Sequence, residues 1–174
     1  MLYPLFCYRI LLKKMIIAYL LLGSNLGDRK KYLSDALGLI ELRLGKISAC
    51  SSLYCTASWG KHDQPDFLNQ VIALETRLSP DSLLDGILTI EIELGRVRNE
   101  RWGSRKIDID ILLFGKQIVA QRELKIPHPF LHERRFCLEP LCEIAPGLIH
   151  PIFGRKMSEL LTELSDNLSV KKLS

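Results

Sequence analysis

The run Asp108-Ile-Asp110-Ile-Leu-Leu-Phe114 constrains this chain more than any other. It reads as an apolar strand that ends in a turn at Gly115-Lys116. Strand side chains alternate between faces, so Asp108 and Asp110 share one face while Ile107, Ile109 and Ile111 take the other. A strand this apolar is expected to be central in a sheet, where unpaired carboxylates are costly. Something positive must therefore meet the two acids. A hard divalent cation with oxygen ligands is the natural candidate. Residues two apart on a strand lie about 6.5–7 Å apart, and two such carboxylates can flank a pair of ions about 3.5–4 Å apart, as in phosphoryl-transfer sites.

The residues just before this strand say what arrives with the cation. Arg96, Arg98, Arg101, Arg105 and Lys106 fall within eleven positions, although the whole chain carries a net charge of only +4. Basic charge so concentrated fits a small anionic ligand better than a long nucleic acid, which needs a more extended basic face. Guanidiniums match phosphate oxygens in geometry as well as charge. Gly95 and Gly103 give the segment backbone freedom, and Trp102 adds a flat apolar face. A solvated surface loop is the plain alternative. Beside the aspartates, the segment is better explained as a lid that closes over a phosphate chain. No Gly-x-x-x-x-Gly-Lys-Ser/Thr occurs, so a nucleoside triphosphate would be held without a P-loop. The segment Gly23-Ser-Asn-Leu-Gly27 lacks the lysine and reads as a strand-to-helix turn. There is no Gly-x-Ser-x-Gly or His-Glu-x-x-His.

Two further places carry candidate binding chemistry. Phe67 and Asn69 share a strand face, and a ring beside an amide can stack on and read a planar heterocycle. Phe136 could supply the opposite stacking face, and His128, between Pro127 and Pro129, could reach a phosphate. Each alone has a plainer reading: Phe67 as core, His128 as an exposed loop residue.

At 174 residues, 47% of them hydrophobic, the chain makes one domain able to bury a core. Strands are expected at Ile16–Leu22, Ile47–Thr56, Phe67–Thr76 and Asp108–Phe114, with a short hairpin at 117–119 and 123–126. Helices are expected over Asp28–Leu44, from Ser79-Pro80 to Leu94 (presenting Leu84, Ile87, Leu88 and Leu94), over Glu133–Ile144 and over Met157–Leu164. The order β-α-β-β-α-β predicts an α+β fold: a ferredoxin-like, mainly antiparallel sheet with flanking helices in a three-layer sandwich. Residues 1–14 are expected to be an N-terminal extension or the product of an upstream start, and 15–174 a single catalytic domain. The apolar start is not followed by a small-x-small cleavage site and is too short to span a membrane. The five cysteines, without a Cys-x-x-Cys pair, read as reduced core thiols of a cytoplasmic protein.

The motifs also carry a resemblance. Leu22-Gly-Ser-Asn-Leu-Gly27, Ser51-Ser-Leu-Tyr54, Asp63-Gln-Pro-Asp-Phe-Leu-Asn69, Gly95-Arg-Val-Arg98, Arg101-Trp-Gly-Ser-Arg105, Asp108–Gly115, Ile126-Pro-His128 and Pro140–Pro146 occur in that order. Together they resemble the 6-hydroxymethyl-7,8-dihydropterin pyrophosphokinase family of folate biosynthesis, from about Met15 to Leu164. The resemblance implies transfer of pyrophosphate from ATP to the pterin hydroxymethyl group, with AMP as product and two Mg2+ ions bridged by Asp108 and Asp110. It implies that Phe67, Asn69 and Phe136 hold the pterin with the backbone of Thr56, Ala57, Ser58, Trp59 and Gly60. It assigns Arg96, Arg98, Trp102, Arg105, Ile111, His128 and Arg134 to the ATP and lid side. It also implies a monomer, with no nucleic-acid or membrane partner. The chain departs from the family pattern at Thr56-Ala-Ser-Trp-Gly60, at Trp102-Gly-Ser-Arg105, and at Pro129, where some members place an aromatic. The expected mechanism is in-line attack of the pterin hydroxyl on the β-phosphorus, driven by positioning and electrostatics and with no general base named. Two alternatives stay open at this point: an RNA-binding ferredoxin-like module, and another Asp-x-Asp metal enzyme such as a nucleotidyl- or glycosyltransferase.

Overall fold

A computed structural model of the chain describes residues 14–57, 65–96 and 105–173. The first apolar run forms β1 (Ile16–Ser24), and Asp28 caps α1 (Arg29–Arg43) by accepting from the Lys31 N–H at 3.1 Å. The chain returns as β2 (Lys46–Cys50), β3 (Tyr54–Thr56) and β4 (Phe67–Thr76). Ser79 caps α2 (Pro80–Glu93), whose first residue is a proline that needs no amide partner. Then come β5 (Asp108–Phe114), the small hairpin β6 (Val119–Ala120) and β7 (Lys125–Ile126), and a 3-10 turn at Leu131–Glu133. The chain closes with α3 (Arg135–Ile144), α4 (Met157–Thr162) and β8 (Val170–Lys172).

The main sheet runs β5-β1-β4-β3-β8, with β2 also on β4, and its pairs are antiparallel. On one face Leu20, Leu22, Ile72, Ile107 and Ile109 pack against Leu33 and Ile40 of α1 and Leu83, Ile87 and Ile90 of α2. On the other, Leu21, Val71 and Leu113 meet Leu131, Leu138, Leu141 and Met157. These two cores give the expected three layers of an α+β fold. α1 can approach α2 closely because Gly86 has no side chain; a Cβ there would stand 2.3 Å from Leu44 Cδ2. No helix among the described residues is long and apolar enough to cross a membrane.

Several expectations need correction. The Asp108–Phe114 strand is an edge strand of the sheet, not a central one. It is apolar because both faces are covered and because the chain after β7 bonds to it, His128 donating to the Leu112 carbonyl at 2.9 Å. Its alternation also breaks. Ile111 pairs with Leu20 but Leu113 with Tyr19, so Leu112 is an extra residue, and Leu112 and Leu113 both face the second core. The single strand expected at Ile47–Thr56 is two, because the Ser51 hydroxyl takes the Val71 N–H at 3.0 Å and interrupts the ladder. The buried stripe of α2 is Leu83, Ile87, Ile90 and Glu91, so Leu84 and Leu88 lie on its flanks. The helix expected over Glu133–Ile144 is preceded by a separate 3-10 turn, and the one expected over Met157–Leu164 stops at Thr162. Of the cysteines read as core thiols, Cys137 is buried, Cys55 and Cys142 are half-buried and Cys50 is exposed; these four are free. Residues 1–13, with Cys7, lie outside the described residues.

Strand β8 was not foreseen at all. It is held to β3 by its ladder and by Glu143 at the end of α3, which accepts from Lys172 Nζ, Tyr54 Oη and both Ser52 N and Oγ at 2.9–3.0 Å. Burial alone would raise the Glu143 carboxyl, but these four donors outweigh it and hold it at about 2. Because the folded-state value lies below the ordinary 4.5, the stabilisation is complete above pH 4.5 and is lost as pH falls toward 2. Glu143→Gln should therefore unfold at lower urea than the parent at pH 7, with the difference shrinking between pH 4.5 and 2. A constant difference across that window would show that the charge contributes nothing.

Candidate active site

Register places the candidate residues before any side chain is considered. Gly23 of β1 pairs with Asn69 of β4 on one side and Asp108 of β5 on the other. Adjacent strands are about 4.8 Å apart, so the amide and the carboxylate stand about 10 Å apart in one row with a bare backbone between them. One step along, Leu21 pairs with Asp110, on the same face. A cavity of about 270 Å³ opens over this row, beside the start of α3. Its lining brings together Thr56, Ala57, Phe67, Asn69 and Phe136 from the heterocycle set, and Arg96, Arg105, Asp108, Asp110, His128 and Arg134 from the phosphate set.

At the first end, Asn69 is buried and donates from Nδ2 to Thr56 Oγ1 at 2.7 Å. That bond fixes the amide orientation and leaves Oδ1 on the Gly23 side, where a Cβ on Gly23 would come within 2.9 Å of it. At the other end, Asp108 is gripped through both oxygens, Oδ1 by Arg96 Nη1 at 2.7 Å and Oδ2 by Arg105 Nη1 at 2.5 Å. Burial and the neighbouring Asp110 raise the Asp108 carboxyl, against the pull of Arg105, Arg96 and His128. Burial likewise raises Asp110, opposed by Arg134, Arg105 and Arg96. The two acids thus resist carrying two charges together, which is the condition a bound cation relieves.

His128 is half-buried, and desolvation helped by the nearby Arg134 lowers it to about 4. Its Nδ1 accepts from the Phe130 N–H at 3.2 Å, so the proton of the neutral ring sits on Nε2. The Arg134 guanidinium lies 4.8 Å from the Phe130 ring centre and 5.6 Å from that of Phe136.

The remaining sequence candidates divide in two: those outside the described residues, and Ile111. The first are Ser58, Trp59, Gly60, Arg98 and Trp102. Ile111 needs correcting: it packs in the core beneath α1 and α2, as the alternation of β5 dictates, so its side chain turns away from the cavity. The structure adds residues that were missed. Phe130 stands one position beyond Pro129, where the loop lacked the aromatic. Glu91, 1% exposed on the buried stripe of α2, pairs with Arg96 and accepts from the Ile109 N–H at 2.7 Å. A glutamate in phase with Leu83, Ile87 and Ile90 was the available signal. Burial pushes its carboxyl up to about 7 against the pull of Arg96 and the Ile109 amide.

With this geometry in place, the comparisons are decisive. The sequence pattern of HPPK, 7,8-dihydro-6-hydroxymethylpterin-pyrophosphokinase, matches residues 19–146. The chain belongs to this family. Pyrophosphoryl transfer is thus the chemistry of the HPPK family to which the cavity must be matched. Relatives named 2-amino-4-hydroxy-6-hydroxymethyldihydropteridine pyrophosphokinase include that of Pseudomonas aeruginosa, 46% identical over 82% of this chain and 88% of the relative. That of Haemophilus influenzae is 43% identical over 90% of this chain and 98% of its own. Among solved structures, wild-type HPPK-DHPS of Plasmodium falciparum shares the fold, with a TM-score of 0.71 at 20% identity. The match covers 86% of this chain but only 45% of that longer one.

Glu91 supports the site from beneath, and its removal would leave the buried Ile109 N–H without this acceptor and take from Arg96 one of its two carboxylate partners. Glu91→Ala should cost about 3 kcal/mol of stability in urea unfolding, and Glu91→Gln clearly less, since it keeps an acceptor for Ile109 N and Arg96. Equal losses would mean that packing, not the acceptor, is what Glu91 supplies.

Proposed function

We propose that this chain transfers pyrophosphate from ATP to the hydroxymethyl group of 6-hydroxymethyl-7,8-dihydropterin, releasing AMP and the pterin diphosphate in folate biosynthesis. The observation that supports the reading is the row Asn69–Gly23–Asp108, along which the residues expected to hold a heterocycle and those expected to meet phosphate line one cavity. The pterin ring stacks between Phe67 and Phe136, and its N–H groups donate to Asn69 Oδ1, already oriented by Thr56. The triphosphate lies over β5, facing Arg96, Arg105, Arg134 and the Nε2–H of His128.

The donor set fits magnesium. Two neighbouring carboxylates line the cavity, and no group of three or more His, Cys, Asp or Glu side chains able to hold a metal occurs among the described residues. Such a pair leaves most coordination positions to water and substrate phosphate, as Mg2+ prefers. Asp108 and Asp110 would hold two Mg2+ ions, which supply charge neutralisation on the phosphate oxygens when bound. Arg96 and Arg105, which grip Asp108, can then turn to the phosphates and to the charge that develops as the pterin oxygen attacks the β-phosphorus in line. Phe67, Asn69 and Phe136 orient that oxygen, and the apolar walls exclude competing water. Arg98 and Trp102 belong to the same reading as lid residues. From the family resemblance we also infer a cytoplasmic monomer with no nucleic-acid partner.

Incubating the protein with ATP, MgCl2 and the reduced pterin should yield AMP and pterin diphosphate in equal amounts; ADP in place of AMP would sink the reading. Asp110→Ala should lower magnesium-dependent turnover at least about 100-fold with an unchanged circular dichroism spectrum; near-normal turnover would refute the two-aspartate site. Gly23→Ala drives a methyl group toward Asn69 Oδ1, so the KM for the pterin should rise while that for ATP holds. A rise in the ATP value alone would contradict the placement of the pterin.

A further inference from the structure

The segment Gly23-Ser-Asn-Leu-Gly27 reads as a turn, yet its central asparagine is 2% exposed and bonds in two directions. Asn25 exchanges bonds with Arg105: its N–H donates to the Arg105 carbonyl at 3.1 Å, and its Oδ1 accepts from the Arg105 N–H at 2.7 Å. Its Nδ2 donates across to the Pro65 carbonyl at 3.3 Å. Arg29, in the first turn of α1, adds a second tie beside it, Nη1 to the Asp66 carbonyl at 2.6 Å. Pro65 and Asp66 lead directly into β4, which carries Phe67 and Asn69. Arg105 leads into β5, which carries Asp108 and Asp110.

We infer that Asn25 is a positioning residue that sets the pterin wall against the metal-phosphate wall. The inference rests on the transferase reading above. One rigid, buried amide spans the end of β1 and binds the entrances of both neighbouring strands, outside the sheet ladder that fixes their interiors. In a two-substrate in-line transfer the reacting oxygen and phosphorus come from opposite walls, so the rate depends on their separation and angle. A misplacement of about 1 Å in such a site costs on the order of 100-fold in rate. The asparagine is chemically specific: the Arg105 side needs an acceptor and the Pro65 side a donor, and an amide provides both.

The two halves can be separated. Asn25→Asp keeps the acceptor for the Arg105 N–H but turns a carboxylate oxygen toward the Pro65 carbonyl. It should raise the KM for the pterin about tenfold, the scale of one lost hydrogen bond with repulsion added, and leave the KM for ATP unchanged. Arg29→Met, on a half-exposed helix turn, removes only the Asp66 tie and should move the pterin value in the same direction, by less. Asn25→Ala keeps the backbone bond to the Arg105 carbonyl but loses both side-chain ties, and should lower kcat about 100-fold with smaller changes in either KM. If Asn25→Ala does not fold, the first two variants decide. Asn25→Asp and Arg29→Met proteins that match the parent in both KM values, or that raise both together, would overturn the inference while the parent remains an active transferase. A parent protein that makes no AMP would overturn the functional reading and this inference with it.

Discussion

Everything at this site depends on two carboxylates that burial and mutual repulsion discourage from ionising together. Asp108 and Asp110 sit on one face of a strand covered on both sides, and the fold answers them with positive charge from three directions. Arg96 comes from the end of α2, Arg105 from the entrance to β5, and Arg134 from the start of α3. Each of those arginines needs support of its own. Glu91 pairs with Arg96 from within the helix, Asn25 holds the Arg105 backbone, and Phe130 and Phe136 lie against Arg134. The local architecture around β5 is therefore a set of nested compensations for one electrostatic cost.

The same compensation explains how a site can be stable before its substrates arrive. The arginines occupy the charge of Asp108, and on the function proposed above a cation-bound triphosphate would offer both partners better ones. An ion pair exchanged for two stronger pairs costs little to break, whereas an unpaired aspartate waiting in an apolar wall would weaken the fold. Resting stability and readiness for ligand come from the same side chains.

Much of the fold was legible because it follows from short-range rules. The period-2 and period-3.6 patterns located β1, β4, α1 and α2 closely, with Ser79-Pro80 marking a helix start to the residue. The misses share a cause: each depends on a partner distant in sequence. The edge position of β5, the extra residue at Leu112, the break at Ser51 and the very existence of β8 are decided by pairing and by Glu143, not by local composition. The site divides in the same way. Acids, arginines and aromatics announce themselves by chemistry, so Asp108, Asp110, Arg96, Phe67, Asn69 and His128 could be picked out and now line one cavity. Glu91 and Asn25 act through other residues, and nothing local marks them as more than a helix glutamate and a turn asparagine. Ile111 went the other way, because alternation along β5 already assigned its side chain to the core.

The last strand has a consequence for how these molecules behave in company. Beyond β3 the sheet would otherwise end in a row of unmet N–H and C=O groups, the usual template for joining one chain to another. Val170–Lys172 covers that row with three residues, then presents two exposed lysines outward, one of them tethered back to Glu143. An edge so short and so charged offers an approaching strand little ladder and an unfavourable charge to bury. Among the described residues Val170–Lys172 thus form a short, charged margin of the sheet, a poor template for pairing with another strand.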